Sequence, residues 1–469
     1  MSEPDVEAAE PEAELPAPGR KRRWPRALAV LLVLALGLPW FARERIANRI
    51  IAGQLEELGL PGRYEIESIG AQRQVLKNIV IGDPVHPDLI VPRAVVEFEP
   101  RLGVPTLGKV TLEGARLYGS YKQGKLSFGA LDPVIFAKRE GPGGLPDLDL
   151  VLIDGRVRFD SDFGVIGAKA EGRGNLRSGF AGVLAVAGPQ LHIGDCTARN
   201  ASAFGQVTTA SAKARFAGPL RLMSLSCPQQ HAALGQTTVQ LDAQLGETFE
   251  SIGGRYDLAA ARPVLPGLRA AALKGDGDFS FKGGDLVASH DLSVTTLDLG
   301  GVSIASLVID GAVRSRDGLA RFEGEGAISG YELRTGKGLG ATLAGLEQSG
   351  EGTLIAPLAR QLRLSMAREE RGSELGGRYS LRQTGGITQI VVPVAELHGG
   401  SGTRLVGLSR FGLSLGLKGG PRFSGNFVTG GAGLPRMSGM AQRKASGGVE
   451  ARFTLAEYRA GDASVALPE

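Results

Sequence analysis

The sequence predicts a mainly β protein: an N-terminal membrane-anchor helix, then a long, twisted, open antiparallel β-sheet groove with a few helices. Three observations carry that expectation. Beyond residue 63, apolar and polar residues alternate with period two over long stretches, the pattern of strands with one wet face. The chain holds 70 glycines against 6% aromatics, which requires many turns and bulges and leaves few large side chains for a sandwich core. A basic cluster abuts an apolar run near the N-terminus, the arrangement of an exported or membrane-anchored chain.

The bulk numbers bound the function. At 469 residues, 42% hydrophobic and 22% charged, the chain can bury a large folded body. Net charge is only +4, and no basic run interleaved with aromatics follows the first fifty residues, so a nucleic-acid partner is not expected.

The N-terminal elements come first. Residues 1–23 open with an acidic, Pro/Ala-rich stretch and are expected to be a disordered cytoplasmic tail. Within RKRRWPR, residues 20–26, five basic residues precede ALAVLLVLALGLPWF, residues 27–41, and Trp24 and Trp40 bracket the run. Residues 24–41 are therefore expected to be a single-pass signal-anchor with the N-terminus cytoplasmic. The fifteen apolar residues fall short of the usual span of about 17–25. A signal-peptide core cleaved near Ala35-Leu36-Gly37 is the alternative. Either way the body, residues 61–469, is exported, and the periplasm is the expected setting. Residues 42–60 are expected to form an amphipathic helix, with Ile46, Ile50, Ile51, Leu55 and Leu58 at helical spacing before Gly59 and Pro61.

In the β body, TVQLDAQL at 238–245 sets Val239, Leu241, Ala243 and Leu245 against Gln240, Asp242 and Gln244. VTTASAKARF at 207–216 reads as one run with Thr208, Ala210, Ala212, Ala214 and Phe216 on one face. Alternation recurs at 94–98, 279–281 and 286–294. An acidic-glycine triplet appears three times, as Leu112-Glu113-Gly114, Ile153-Asp154-Gly155 and Ile309-Asp310-Gly311, each expected to be a bend or bulge. Residues 353–371 predict one helix whose apolar face is Leu354, Ile355, Leu358, Leu362 and Met366. Small aliphatics repeated over some 400 residues fit a curved sheet lining a groove, on the order of 120 Å long at about 4.8 Å per strand. A stack of sandwiches would show the same alternation.

The search for catalytic chemistry ends without a site. Gly412-Leu413-Ser414-Leu415-Gly416 is formally G-x-S-x-G, but the last of the five histidines, His398, precedes Ser414, the wrong order for an α/β-hydrolase. GKGLGATLAG at 336–345 lacks the βαβ context of a nucleotide loop. HIGDC and CPQQH pair Cys196 and Cys227 with nearby histidines. A disulfide is the simplest outcome in an oxidising compartment, with a zinc site or free thiols as alternatives. His86 and His290 stand alone and read as structural or solvated. The chain is expected to be no enzyme and to need neither cofactor nor metal.

LKNIVIGDPVHPDLIVPRAVVEFEP and LGKVTLEGARLYGSYKQGKLSFGALDP, within residues 76–133, resemble the start of AsmA-like proteins, most closely the YdbH-type intermembrane phospholipid transport family. GTLIAPLARQL near 352 and GGAGLPRM near 430 extend the resemblance. It implies a repeating β-groove anchored in the inner membrane, passing glycerophospholipids passively toward the outer membrane. An outer-membrane lipoprotein or another envelope component is then a candidate partner. Groove-lining candidates are Val110, Leu112, Leu117, Val239, Leu241, Ala243, Leu245, Phe279, Phe281, Leu292 and Val294. Family members are longer, and the chain ends at YRAGDASVALPE in strand-like alternation, so a C-terminal part is expected to be missing. The competing expectation is a structural or adhesive exported β-solenoid.

Overall fold

The computed structural model describes residues 62–466, apart from 71, 100–105, 124, 136–144, 248–249, 266, 300, 317–319, 416–421, 444–448 and 461–462. The expected tail, anchor and amphipathic helix lie outside the described residues. Among those described, no helix is long and apolar enough to cross a membrane.

One sheet of 27 strands dominates the described residues. β1 (Gly62–Ile69), β2 (Arg73–Gly82) and β3 (Pro87–Glu99) form an antiparallel meander. β3 then pairs with β4 (Thr106–Glu113) and with β5 (Arg116–Lys122), which together make one strand bent at Gly114, φ 68°. β6 (Lys125–Ser127) folds back on β5, and β7 (Asp149–Ser161) returns parallel to both β4 and β5. Before that crossover, SFGALDP forms a compact turn. Asp132 accepts from Ser127 Oγ at 2.6 Å and from the Phe128 amide at 2.5 Å, and Asp88 accepts from the Ala130 amide at 2.9 Å. The stretch carrying the sharpest family resemblance is thus a structural clasp onto β3.

After β7 every strand pairing among the described residues is antiparallel. β8 (Gly164–Asn175), β9 (Ala181–Ile193) and β10 (Cys196–Ala210) lead to β11 (Lys213–Leu222) and β12 (Ser224–Cys227), both paired with β10. β13 (Ala232–Leu234) pairs with β12 and β14 (Thr237–Leu245) with β11, while β15 (Ser251–Ala261) and β16 (Val264–Leu265) share β17 (Leu268–Lys282). β18 (Asp285–Asp298), β19 (Val302–Arg316) and β20 (Arg321–Thr335) follow. A helical hairpin, α1 (Lys337–Ser349) and α2 (Ile355–Glu369), then precedes β21 (Glu374–Thr384) and β22 (Ile387–His398). β23 (Arg404–Leu415), β24 (Arg422–Thr429), β25 (Arg436–Arg443), β26 (Val449–Ala460) and β27 (Ala463–Ala466) complete the sheet. Antiparallel meandering, not a stack of parallel coils, excludes the solenoid.

Three local expectations change. The run at 207–216 is two strands, because Ser211 and Ala212 take left-handed φ of 50° and 60° and turn β10 into β11. Alternation continued through a two-residue turn, so the sequence pattern concealed it. Of the acidic-glycine triplets, Gly114 and Asp154 (φ 50°) do bend their strands. Asp310-Gly311 instead runs straight through β19 in regular pairing with β18 and β20. Finally, the expected single helix at 353–371 is preceded by α1, whose glycines lower its intrinsic propensity. Packing wins: Leu343 is buried, and Arg363 of α2 donates to Glu347 of α1 at 2.8 Å. Leu354 and Ile355, expected on the covered face of that helix, are 65% and 51% exposed because α2 begins only at Ile355 and their side chains lie at its open end.

Enclosed core is concentrated at the front end and along one bend. Leu76, Val96, Phe98 and Val110 form a closed cluster, and Val91, Ala94 and Ala115 a second beside it. The bend runs across the sheet. Asn200, Arg262, Thr296 and Glu332 are left-handed residues in otherwise extended chain, with φ of 50°, 49°, 51° and 53°. Thr296 falls between the pairs Ala272↔Thr295 and Ala270↔Leu297, and Glu332 between Ser306↔Tyr331 and Ile304↔Leu333. Arg262, Thr296 and Glu332 therefore occupy one row, opposite Ala271 and Ala305 on the intervening strands. At each the buried parity switches: Val294 and Leu297 of β18 both enter the same cluster with Ile304 and Leu307.

Candidate functional site

The site is the inner face of the sheet from β11 to β24, and register builds it. One row runs Phe216, Ala243, Gly254, Phe279, Ala288, Val313, Gly324, Leu381, Ile390, Leu413, Phe423, each directly opposite the next. Four residues along the strands lies a second: Leu220, Val239, Leu258, Gly275, Leu292, Ile309, Ile328, Gly377, Ala395. Because inward side chains recur every second residue, these rows run across the strands, along the length of the sheet.

Most of the large side chains in these rows are half-buried, not fully buried. A second sheet packed on this face would bury them, as the two inner faces of a sandwich do. The stacked-sandwich alternative is therefore excluded here, and the face is an open trough. The opposite face is polar: Arg215 pairs with Asp242 and Arg255 with Asp278, all solvent-exposed ion pairs worth little each. It also carries Asp257, Asp276, Asp291 and Asp310, directly opposite one another on four successive strands.

Between the two apolar rows lies a third of different character: Leu241, Tyr256, Gly277, then His290, Gly311, Gly326, Tyr379. The tyrosines lie flat over the glycines. A Cβ at Gly277 would stand 2.9 Å from Tyr256 Oη, and one at Gly311 2.9 Å from Tyr379 Oη. Tyr256 thereby reaches β18, donating to the Ser289 carbonyl at 3.0 Å. Tyr379 reaches the same strand from the other side, crossing Gly326 and Gly311 to place its Oη 2.7 Å from His290 Nε2. A hydrogen bond spanning two intervening strands requires the face to be concave. Burial holds the His290 imidazole below its ordinary pKa, against the opposing pull of Asp310 and Asp291. Burial, then the Asp310 charge, pushes the Tyr379 phenol up, so both groups are neutral near pH 7.

The trough is closed along one side by the helical hairpin. Leu362 and Met366 of α2 face Leu333, Leu397, Leu405 and Leu434 around an apolar cavity of about 100 Å³. Gln361 donates to the Gly433 carbonyl at 2.6 Å, and Glu369 accepts from Ser401 Oγ at 2.8 Å, tying α2 to loops at the strand ends.

Eight of the eleven sequence candidates lie on this face: Val239, Leu241, Ala243, Leu245, Phe279, Phe281, Leu292 and Val294. Val110 is instead enclosed in the front cluster with Leu112 packed against it, and Leu117 sits opposite Leu89 and beside Val157. Cys196 and Cys227 are joined, Sγ–Sγ 2.03 Å, next to the directly opposed pair Thr197↔Ser226. That bond consumes both thiols and leaves none to ligate zinc. Ser414 lies in β23, paired with Gln389 and Arg422, and 337–345 of the glycine-rich segment belongs to α1. His290 corrects the expectation of an isolated histidine. Its partner is 89 positions away, a distance no local pattern encodes.

A family model described as YdbH-like, intermembrane phospholipid transport protein YdbH, matches residues 30–469. No curated protein and no solved structure matches the chain.

Proposed function

The chain belongs to the YdbH-like intermembrane phospholipid transport family, and from that premise we propose that its trough is a passive conduit for glycerophospholipids between the inner and outer membranes. Acyl chains lie on the inner rows and headgroups stay at the open side. Residues 24–41 anchor the chain in the inner membrane by a single pass, with the body in the periplasm, and an outer-membrane lipoprotein or another envelope protein receives the far end.

The observation that carries this reading is the cross-strand row of mostly half-buried aliphatic and aromatic side chains, interrupted only by Gly254 and Gly324, that runs from β11 to β24. Burying apolar surface at about 25 cal/mol per Å² makes such a face favourable for an acyl chain and unfavourable for water. Because similar side chains repeat from strand to strand, no position along the row is a deep well, and a lipid can move down its concentration gradient without an energy source. The test is lipid analysis of the purified full-length chain by mass spectrometry. Stoichiometric glycerophospholipid is the expected result, and protein that emerges lipid-free from gentle extraction would refute the conduit.

A further inference from the structure

We propose that the His290–Tyr379 pair is a hydrogen-bonding station on the trough floor for the ester carbonyl of an acyl chain. The inference rests on the lipid-conduit reading and adds to it a specific contact.

Proton counting is the first support. The neutral pair carries two exchangeable protons, one on the imidazole and one on the phenol. Only one of them can occupy the 2.7 Å bond between Nε2 and Oη. If the phenol donates, the imidazole Nδ1–H is left over; if Nε2–H donates, the phenol O–H is left over. Among the described residues neither His290 nor Tyr379 shows a second hydrogen-bond partner. Tyr256 differs, because its proton is spent on the Ser289 carbonyl. The row therefore presents one spare donor, on two half-buried side chains that open to the trough.

Its surroundings select the acceptor. Phe279 and Val313 flank the station on one side, Leu292 and Ile309 on the other, so the ligand must be mainly apolar. The charges that act on the pair are carboxylates of the opposite face, Asp310 on both groups and Asp291 on the imidazole, and their sign disfavours a phosphate or a free carboxylate. A neutral acceptor at the head of an apolar chain meets both conditions, and the ester carbonyl of a glycerolipid is such a group.

The test uses the full-length chain in detergent, with a fluorescent phospholipid displaced by diacyl phosphatidylethanolamine, by its dialkyl ether analogue of equal chain length, or by palmitate. The ether lipid keeps headgroup and chains but has no carbonyl. The diester should compete about fivefold better than the diether, the worth of one net hydrogen bond. The double variant His290→Leu/Tyr379→Phe, checked for an unchanged fold by circular dichroism, should bind both lipids equally at the diether level. Equal competition by diester and diether in the parent protein overturns the inference while leaving the conduit intact. A preference that survives in the double variant also overturns it, and so does a variant-sensitive preference for palmitate over the diester. Failure of every lipid to displace the probe would instead remove the conduit itself.

Discussion

At the scale of single residues, His290 shows how an apolar face admits one polar contact. The imidazole is tolerated because Gly311 and Gly326 leave room for Tyr379 to reach it, so a side chain at either glycine would separate the pair. The burial that depresses the imidazole pKa also fixes a pH dependence. A base whose folded pKa lies below its unfolded value binds fewer protons folded than unfolded. Its contribution to stability is complete above the unfolded value and is lost as pH falls through the window down to the folded one. Thermal melts from about pH 8 to about pH 5.5 should therefore show a larger loss for the parent protein than for His290→Gln. Parallel curves would show that the imidazole does not feel its burial.

At the scale of elements, the left-handed residues turn a ribbon into a trough. Asn200, Thr296 and Glu332 sit in mid-strand and Arg262 directly after β15, and at each the chain bends and the side chains that point inward switch. Asparagine tolerates that conformation, and Asn200 meets it well, whereas a β-branched threonine does not. Thr296→Asn should raise the urea unfolding midpoint, a gain of about 0.5–1 kcal/mol. Thr295→Asn, one residue away in extended chain, should give no gain. Equal effects at the two positions would mean that the bend at Thr296 stores no strain. The Cys196–Cys227 bond acts at the same scale, stapling the start of β10 to the end of β12 beside the Asn200 bend; bridges of this kind contribute about 2–4 kcal/mol.

For the whole molecule, the consequence of the register is seriality. On the proposed conduit reading, a lipid moving from β11 to β24 would pass every strand between them, so one obstruction would suffice. Phe279→Glu and Leu381→Glu, in the same row but separated by several strands, should each abolish lipid transfer between donor and acceptor vesicles. The double variant should be no worse than either single one. Asp276→Asn on the outer face should leave transfer unchanged, and relief of like-charge repulsion there should leave the fold at least as stable. Additive partial losses from the two inner variants would mean parallel routes, not one trough.

The sequence alone determined the period-two body, the exported address as an expectation, the family resemblance, and which residues of strands such as β14 share a face. These are local properties, written in the spacing of neighbouring residues. The tertiary structure decided what spacing cannot encode. It showed that the inner face is open and not sandwiched, that Val110 is enclosed while Val239 lies on the open face opposite Leu220, and that the 207–216 run folds at Ser211-Ala212. It also paired His290 with Tyr379 and aligned Arg262, Thr296 and Glu332 in one bend. The reason is physical: alternation says which residues share a side of one strand, but only cross-strand register says which residues of different strands meet.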